Sequence, residues 1–240
     1  METDMPAQAK AENAFDAPSR RPYEAGRTPY DGLRPWSAIT HGIGAVLGLI
    51  GTILLAIKTI PHSSGSVIAG FLVYGISMIT LYTASTIYHS VNGPVSRRIA
   101  LRRMDHAAVY LLIAGSYTPV CVKLLSQTAG IVVLAIIWSL ALAGAGLSIF
   151  WVNMPRKLTA GIYIALGWLS VGVLPFIYQL HGITPIAWLL AGGVLYTIGG
   201  VFYAIKWPGR NNPRFGCHEI FHSFIVLGSI VHYLLMYQLA

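Results

Sequence analysis

The chain has 240 residues, of which 55% are hydrophobic and only 10% charged, with a formal net charge of +8. A soluble domain carries about 25% charged residues, so much of the surface that should face water is missing and a soluble globular fold is excluded. The basic excess lies in short segments between apolar runs, a placement that points to anionic membrane headgroups as partners and away from nucleic acid.

Residues 1–33 are polar, carry Pro6, Pro18, Pro22 and Pro29, and lack the apolar core and small-residue cleavage site of a signal peptide. They read as a disordered cytoplasmic tail, leaving residues 34–240 as one transmembrane domain. A helix needs about 20 mostly apolar residues to cross the hydrocarbon core. Seven stretches qualify, at 38–58, 66–89, 106–125, 129–150, 159–180, 184–205 and 217–238. Pro119 and Pro175 are expected to kink two of them. Gly144, Gly146, Gly192, Gly193, Gly199 and Gly200 suit close helix–helix approach. The expected fold is all-α, a polytopic membrane protein of seven transmembrane helices. Cys121 and Cys217 fall in or at the edge of apolar stretches and make no disulfide framework.

Charge alternates between the loops. Arg27 and Arg34 precede the first span, Arg97, Arg98, Arg102 and Arg103 follow the second, Arg156 and Lys157 the fourth, and Lys206, Arg210 and Arg214 the sixth. The opposite side has only Lys58 and Lys123. The positive-inside rule therefore predicts a cytoplasmic amino terminus and an external carboxyl terminus, the reverse of the G-protein-coupled receptor arrangement. Trp36, Trp151 and Trp207 mark helix ends on the cytoplasmic side.

After Asp31 the acidic residues are Asp105 and Glu219 alone, both expected at the starts of apolar helices. An ionisable group in a span is a functional hypothesis by default. With the topology set from Lys and Arg, His89 at the end of the second span, Asp105 at the start of the third, and His218 and His222 at the start of the seventh reach one depth. His218 and His222 are four residues apart, on one helical face about 6 Å apart along the axis. Such a pair can share a zinc ion, with His89 as third ligand and a fourth position open. Asp105 either hydrogen-bonds a water there or ligates directly; an interfacial salt bridge with Arg102 or Arg103 is the bland alternative. Ser85, four residues before His89, orients a water or substrate, or merely back-bonds within its helix. His41 lines the same cavity or packs. His106 is expected on a different face from Asp105, His232 too deep to join the site, and His62 and His181 in outer loops.

The segments Ser37-Ala-Ile-Thr-His-Gly-Ile-Gly44, Ser85-Thr-Ile-Tyr-His89, Arg103-Met-Asp-His106 and His218-Glu-Ile-Phe-His222 resemble, in order, the bacterial hemolysin III family of the progestin and adiponectin-receptor (PAQR) superfamily. The resemblance implies a seven-helix fold, an inner-membrane location, and zinc held by His89, His218 and His222, with Asp105 acting through a water at the ion. It also implies kinship with the alkaline ceramidases, which are zinc-dependent amide hydrolases, and a role in membrane-lipid homeostasis.

Three functions follow as expectations. The first is a zinc-dependent hydrolase of lipid amides or esters, with Asp105 as general base and Ser85 beside it. The second is a non-catalytic membrane sensor, pore or cytolytic protein stabilised by structural zinc. The third reads His218-Glu219-Ile220-Phe221-His222 literally as H-E-x-x-H, an intramembrane metalloprotease with Glu219 as base. Against the third, Glu219 suits the amino end of its helix, where the dipole favours a carboxylate.

Overall fold

The structure, a computed structural model, describes residues 33–240 except 211 and 213. The tail expected over residues 1–33 lies, apart from Leu33, outside the described residues. Among the described residues there is no strand, as expected where lipid offers the backbone no hydrogen-bonding partner. The helices are α1 (Pro35–Thr59), α2 (Gly65–Ser90), α3 (Val95–Leu124), α4 (Gln127–Phe150), α5 (Arg156–Trp168), α6 (Leu174–His181), α7 (Ile183–Ile205) and α8 (Cys217–Leu239). They supply 7 spans long and apolar enough to cross a membrane, because α5, a 3₁₀ turn at Leu169–Val173 and α6 together form the fifth, Arg156–His181.

Two elements depart from the sequence reading. The α3 helix starts at Val95, well before the span expected from residue 106, so the arginine-bearing segment is helical and Asp105 lies inside the helix rather than at its start. Hydropathy reports the length in lipid, whereas 30 residues of α3 reach about 45 Å and carry the arginines beyond the hydrocarbon. Arg98 is buried there, its guanidinium 4.5 Å over the Tyr88 ring and donating to the Val91 carbonyl. The second departure concerns the prolines. Pro119 sits within a continuous α3, while the fifth span breaks before Pro175, which occupies the first turn of α6. The Tyr117 hydroxyl donates a bifurcated hydrogen bond to the carbonyls of Leu166 and Gly167 at 2.9 and 2.7 Å, beside that break.

The most extensive packing joins α1 to α2, α2 to α3, α3 to α4 and α7 to α8. The bundle closes through α8 against α1 and α5 against α7, and α3 also touches α5, α6 and α8. The third helix is therefore central. Ile39, Ile43, Val46, Ile50 and Ile57 form an exposed apolar stripe along α1, which suits a lipid-facing surface. Close approach holds at Gly144 and Gly192, where an added Cβ would lie 2.2 Å from Tyr110 and from His232 respectively. Gly199 and Gly200 are similarly confined, but Gly146 and Gly193 have no neighbour within 4 Å. Those two glycines face away from the helix contacts expected of them.

Candidate metal centre

The end of α2 and the start of α8 meet at one end of the bundle, and Arg34, just before α1, joins them. Its backbone N–H donates to the His89 carbonyl at 3.0 Å. Its guanidinium donates to Glu219 Oε1 at 3.0 Å, an oxygen that also accepts from Ser37 Oγ at 3.4 Å. Glu219 Oε2 accepts from the Gly216 N–H at 2.8 Å, closing the first turn of α8. Both carboxylate oxygens are thus engaged in holding helix ends together, and Glu219 does not line the neighbouring cavity.

Within this frame His89, His218 and His222 converge. One ligand nitrogen from each lies within 4.8 Å of the others, and His218 Nε2 is 3.3 Å from His89 Nε2. Nitrogens at zinc–nitrogen distances of about 2.0–2.1 Å in a tetrahedron stand roughly 3.3 Å apart, so this donor set fits a metal ion. His89 and His222 are buried and His218 is half-buried. Buried nitrogens without partners are costly; here His218 Nδ1 and His222 Nδ1 have none, nor has either nitrogen of His41.

His41 completes a group of four imidazoles without joining the ligand set. Its ring stacks on His222 with centroids 3.7 Å apart and planes 20° from parallel, and meets the Tyr82 ring edge-on at 5.0 Å. The Tyr82 hydroxyl donates to Ser229 Oγ at 2.7 Å, anchoring this wall to α8.

A cavity of about 160 Å³ runs from the cluster into the bundle, lined by His41, His218, His222, Asp105 and Ser85 at this end and reaching His232 at the other. A water needs only some 10–15 Å³ of such space, so the cavity is far larger than a hydration site. Asp105 is absent from the converging donor set, which places it beside the cluster rather than in it. Ser85 Oγ is buried and closes no hydrogen bond, yet lies near enough to act on the Asp105 carboxylate.

Among the remaining histidines one expectation is corrected. His106 lines the same cavity as Asp105, because α3 is central and the cavity takes in a wide arc of it. Tyr163 donates to the His106 carbonyl at 3.0 Å. His232 is buried at the far end, its Nε2 3.3 Å from the Leu189 carbonyl oxygen. His62 and His181 are exposed, and Cys121 and Cys217 are buried free thiols. Neither the His41 stack nor the Arg34–Glu219 clamp is evident from the sequence reading. One signal was present: Ser37 and His41 repeat on α1 the four-residue spacing of Ser85 and His89 on α2.

The family model described as Haemolysin-III related matches residues 35–233. The chain belongs to that family. Among similar haemolysin III proteins, Hemolysin-3 of Bacillus cereus is 39% identical over 196 residues, 80% of this chain and 85% of the relative. The Hemolysin-3 homolog of Bacillus subtilis (strain 168) is 38% identical over 194 residues, 80% and 87% of the two chains. A more distant likeness, 28% over 153 residues, covers 55% of this chain and 33% of the adiponectin receptor protein of Drosophila melanogaster. It places the haemolysin III family within the PAQR superfamily. Seven spans and bacterial relatives make this haemolysin III chain an integral protein of the bacterial plasma membrane.

Proposed function

We propose that this haemolysin III protein is a zinc-dependent hydrolase of lipid amides or esters, serving membrane-lipid homeostasis from a site near the cytoplasmic face. One observation carries the reading: of three converging imidazoles two, His218 and His222, line a long cavity that also exposes a carboxylate, Asp105, outside the donor set. His89, His218 and His222 would hold the ion. A zinc ion so held supplies Lewis acidity, polarising a carbonyl and making water a nucleophile near neutral pH. Asp105 accepts the proton of the attacking water and returns it to the leaving amine or alcohol. Ser85 orients that carboxylate, and His41 holds the His222 ring in place by stacking. The apolar wall, including Leu112, Val120, Ile164 and Val173, receives a hydrocarbon chain and excludes bulk water. The excess of Lys and Arg around this end of the bundle supports the cytoplasmic assignment.

A non-catalytic protein with a structural metal is favoured by one feature: His89 is 2% exposed and does not line the cavity. The metalloprotease reading loses support because Glu219, its required base, is committed to Arg34, Ser37 and Gly216. The deciding experiment measures metal content and release of fatty acid from lipid amides and esters, with native protein and Asp105→Asn in parallel. Metal in both with turnover only in the native protein supports the hydrolase. Metal in both with no turnover against any amide or ester sinks it and leaves the structural site.

A further inference from the structure

Just beyond the residues that line the cavity stand cations that hydrolysis itself does not use. On α3 the lining includes Asp105 and His106, and Arg102 lies three and four residues before them, on the same helical stripe. On α5 it begins at Thr159 and Ala160, and Arg156 stands three and four residues earlier. On α7 it ends at Gly200 and Tyr203, and Lys206 follows one turn beyond Tyr203. Each cation is the next position outward on a stripe that faces the cavity. All three are half-buried, as is the adjoining Arg103, whereas Arg97, Lys157, Arg210 and Arg214 are exposed.

The three also gather around one opening. Arg102 and Arg156 both act electrostatically on His106, and Arg156 acts on His218. The Arg156 guanidinium lies 4.9 Å over the Tyr203 ring, itself 5.7 Å from the His218 ring. Burial, then the charges of Arg156 and Arg210, hold the Lys206 ammonium below its ordinary range. Lys206 also ends α7 at φ 58°, a left-handed position that glycine usually fills. Among the described residues the carboxylate side chains are Asp105 and Glu219 alone; Glu219 pairs with Arg34, and Asp105 feels Arg102. Membrane orientation accounts for cations in these loops. It does not call for them on cavity-facing stripes, where repulsion and desolvation are unfavourable without an anion.

We propose that Arg102, Arg156 and Lys206 form a headgroup subsite for a phosphate-bearing amphiphile whose apolar chain runs into the cavity past the histidine cluster. A tetrahedral phosphate offers several oxygens and up to two negative charges, which suits cations arriving from three helices, and guanidinium forks bind phosphate oxygens in pairs. This names a substrate class for the proposed hydrolase and rests on that reading only for the fate of the ligand; binding needs no turnover.

The test uses full-length protein in nanodiscs of zwitterionic lipid, titrated with dodecyl phosphate and separately with dodecanol, with binding read by equilibrium partition of labelled ligand. Native protein should bind the phosphate about tenfold more tightly than the alcohol, beyond the partition into empty discs. Arg102→Gln with Arg156→Gln should abolish that preference, while Arg97→Gln with Lys157→Gln, removing equal charge from exposed positions, should keep it. Lys206→Gly relieves the left-handed backbone, so a weakened preference with an undiminished unfolding temperature separates binding from misfolding. No preference in the native protein, or equal losses in the exposed and cavity pairs, would overturn the proposal. Displacement by inorganic phosphate as effective as by dodecyl phosphate would overturn the amphiphile assignment in favour of a free anion. Preference without turnover sinks the hydrolase alone, and turnover without preference sinks the headgroup subsite alone.

Discussion

The guanidinium of Arg34 and the carboxylate of Glu219 meet at 3.0 Å, with side-chain exposures of 15% and 2%, and this pair joins the entrance of α1 to the first turn of α8. Removing one partner of a buried ion pair costs about 3–5 kcal/mol, because the other charge stays buried with less compensation. Glu219→Ala and Arg34→Ala should each lower stability on that scale, and the double variant should lose less than the sum. Denaturant or thermal unfolding in detergent measures this. Additive losses would mean that the pair is not a coupled clamp. Glu219→Gln, which keeps acceptor capacity toward Gly216, should lose less stability and retain bound metal.

Metal retention should divide the four imidazoles into two classes. His89→Ala, His218→Ala and His222→Ala remove converging nitrogens and are expected to empty the site, as read by elemental analysis of purified protein. His41→Phe keeps an aromatic ring stacked on His222 and should retain metal close to one ion per chain. Loss of metal in His41→Phe would show that His41 is a ligand.

Ser85 is expected to matter for rate and not for occupancy. Ser85→Ala removes a buried hydroxyl that closes no hydrogen bond, so the fold should tolerate it. Turnover of a lipid amide or ester should fall by about 10–100-fold if orienting the general base contributes on the usual scale, with metal content unchanged. Full activity in Ser85→Ala would reduce the residue to a packing role.

Two neighbouring glycines give a stability test of the helix packing. Gly144→Ala drives a Cβ to 2.2 Å from Tyr110, whereas Gly146→Ala meets nothing within 4 Å. Overpacking costs about 1–3 kcal/mol, so the first should be destabilised and the second unaffected or slightly stabilised, helix propensity favouring alanine. Equal unfolding temperatures would mean that α3 and α4 separate easily.

The parts of this site legible in the sequence are those set by spacing along one helix or by alternation of loop charge. His218 and His222 share a face whatever the tertiary structure, and the direction of α2 relative to α8 brings His89 to their level. The remainder depends on how each helix is rotated about its axis, which hydropathy does not report. Thus His41 could have faced lipid as easily as His222, and Glu219 had no visible reason to choose Arg34 among many cations. His106 was assigned by its angular offset from Asp105, a sound rule for a helix with one narrow contact face but not for central α3. The early start of α3 escaped for a different reason: a helix leaving the bilayer loses its apolar signal while keeping its hydrogen bonds.

The Tyr117 hydroxyl, shared between the carbonyls of Leu166 and Gly167, constrains how the bundle can move. Sliding the fifth span along its axis past α3 would strip this bond from a dry interior, while swinging its outer half about the 3₁₀ turn leaves the bond intact. Piston-like displacement is therefore disfavoured here and hinge bending is left open. Any widening of the bundle should begin at the Leu169–Val173 turn, with the α5 half staying in register with α3.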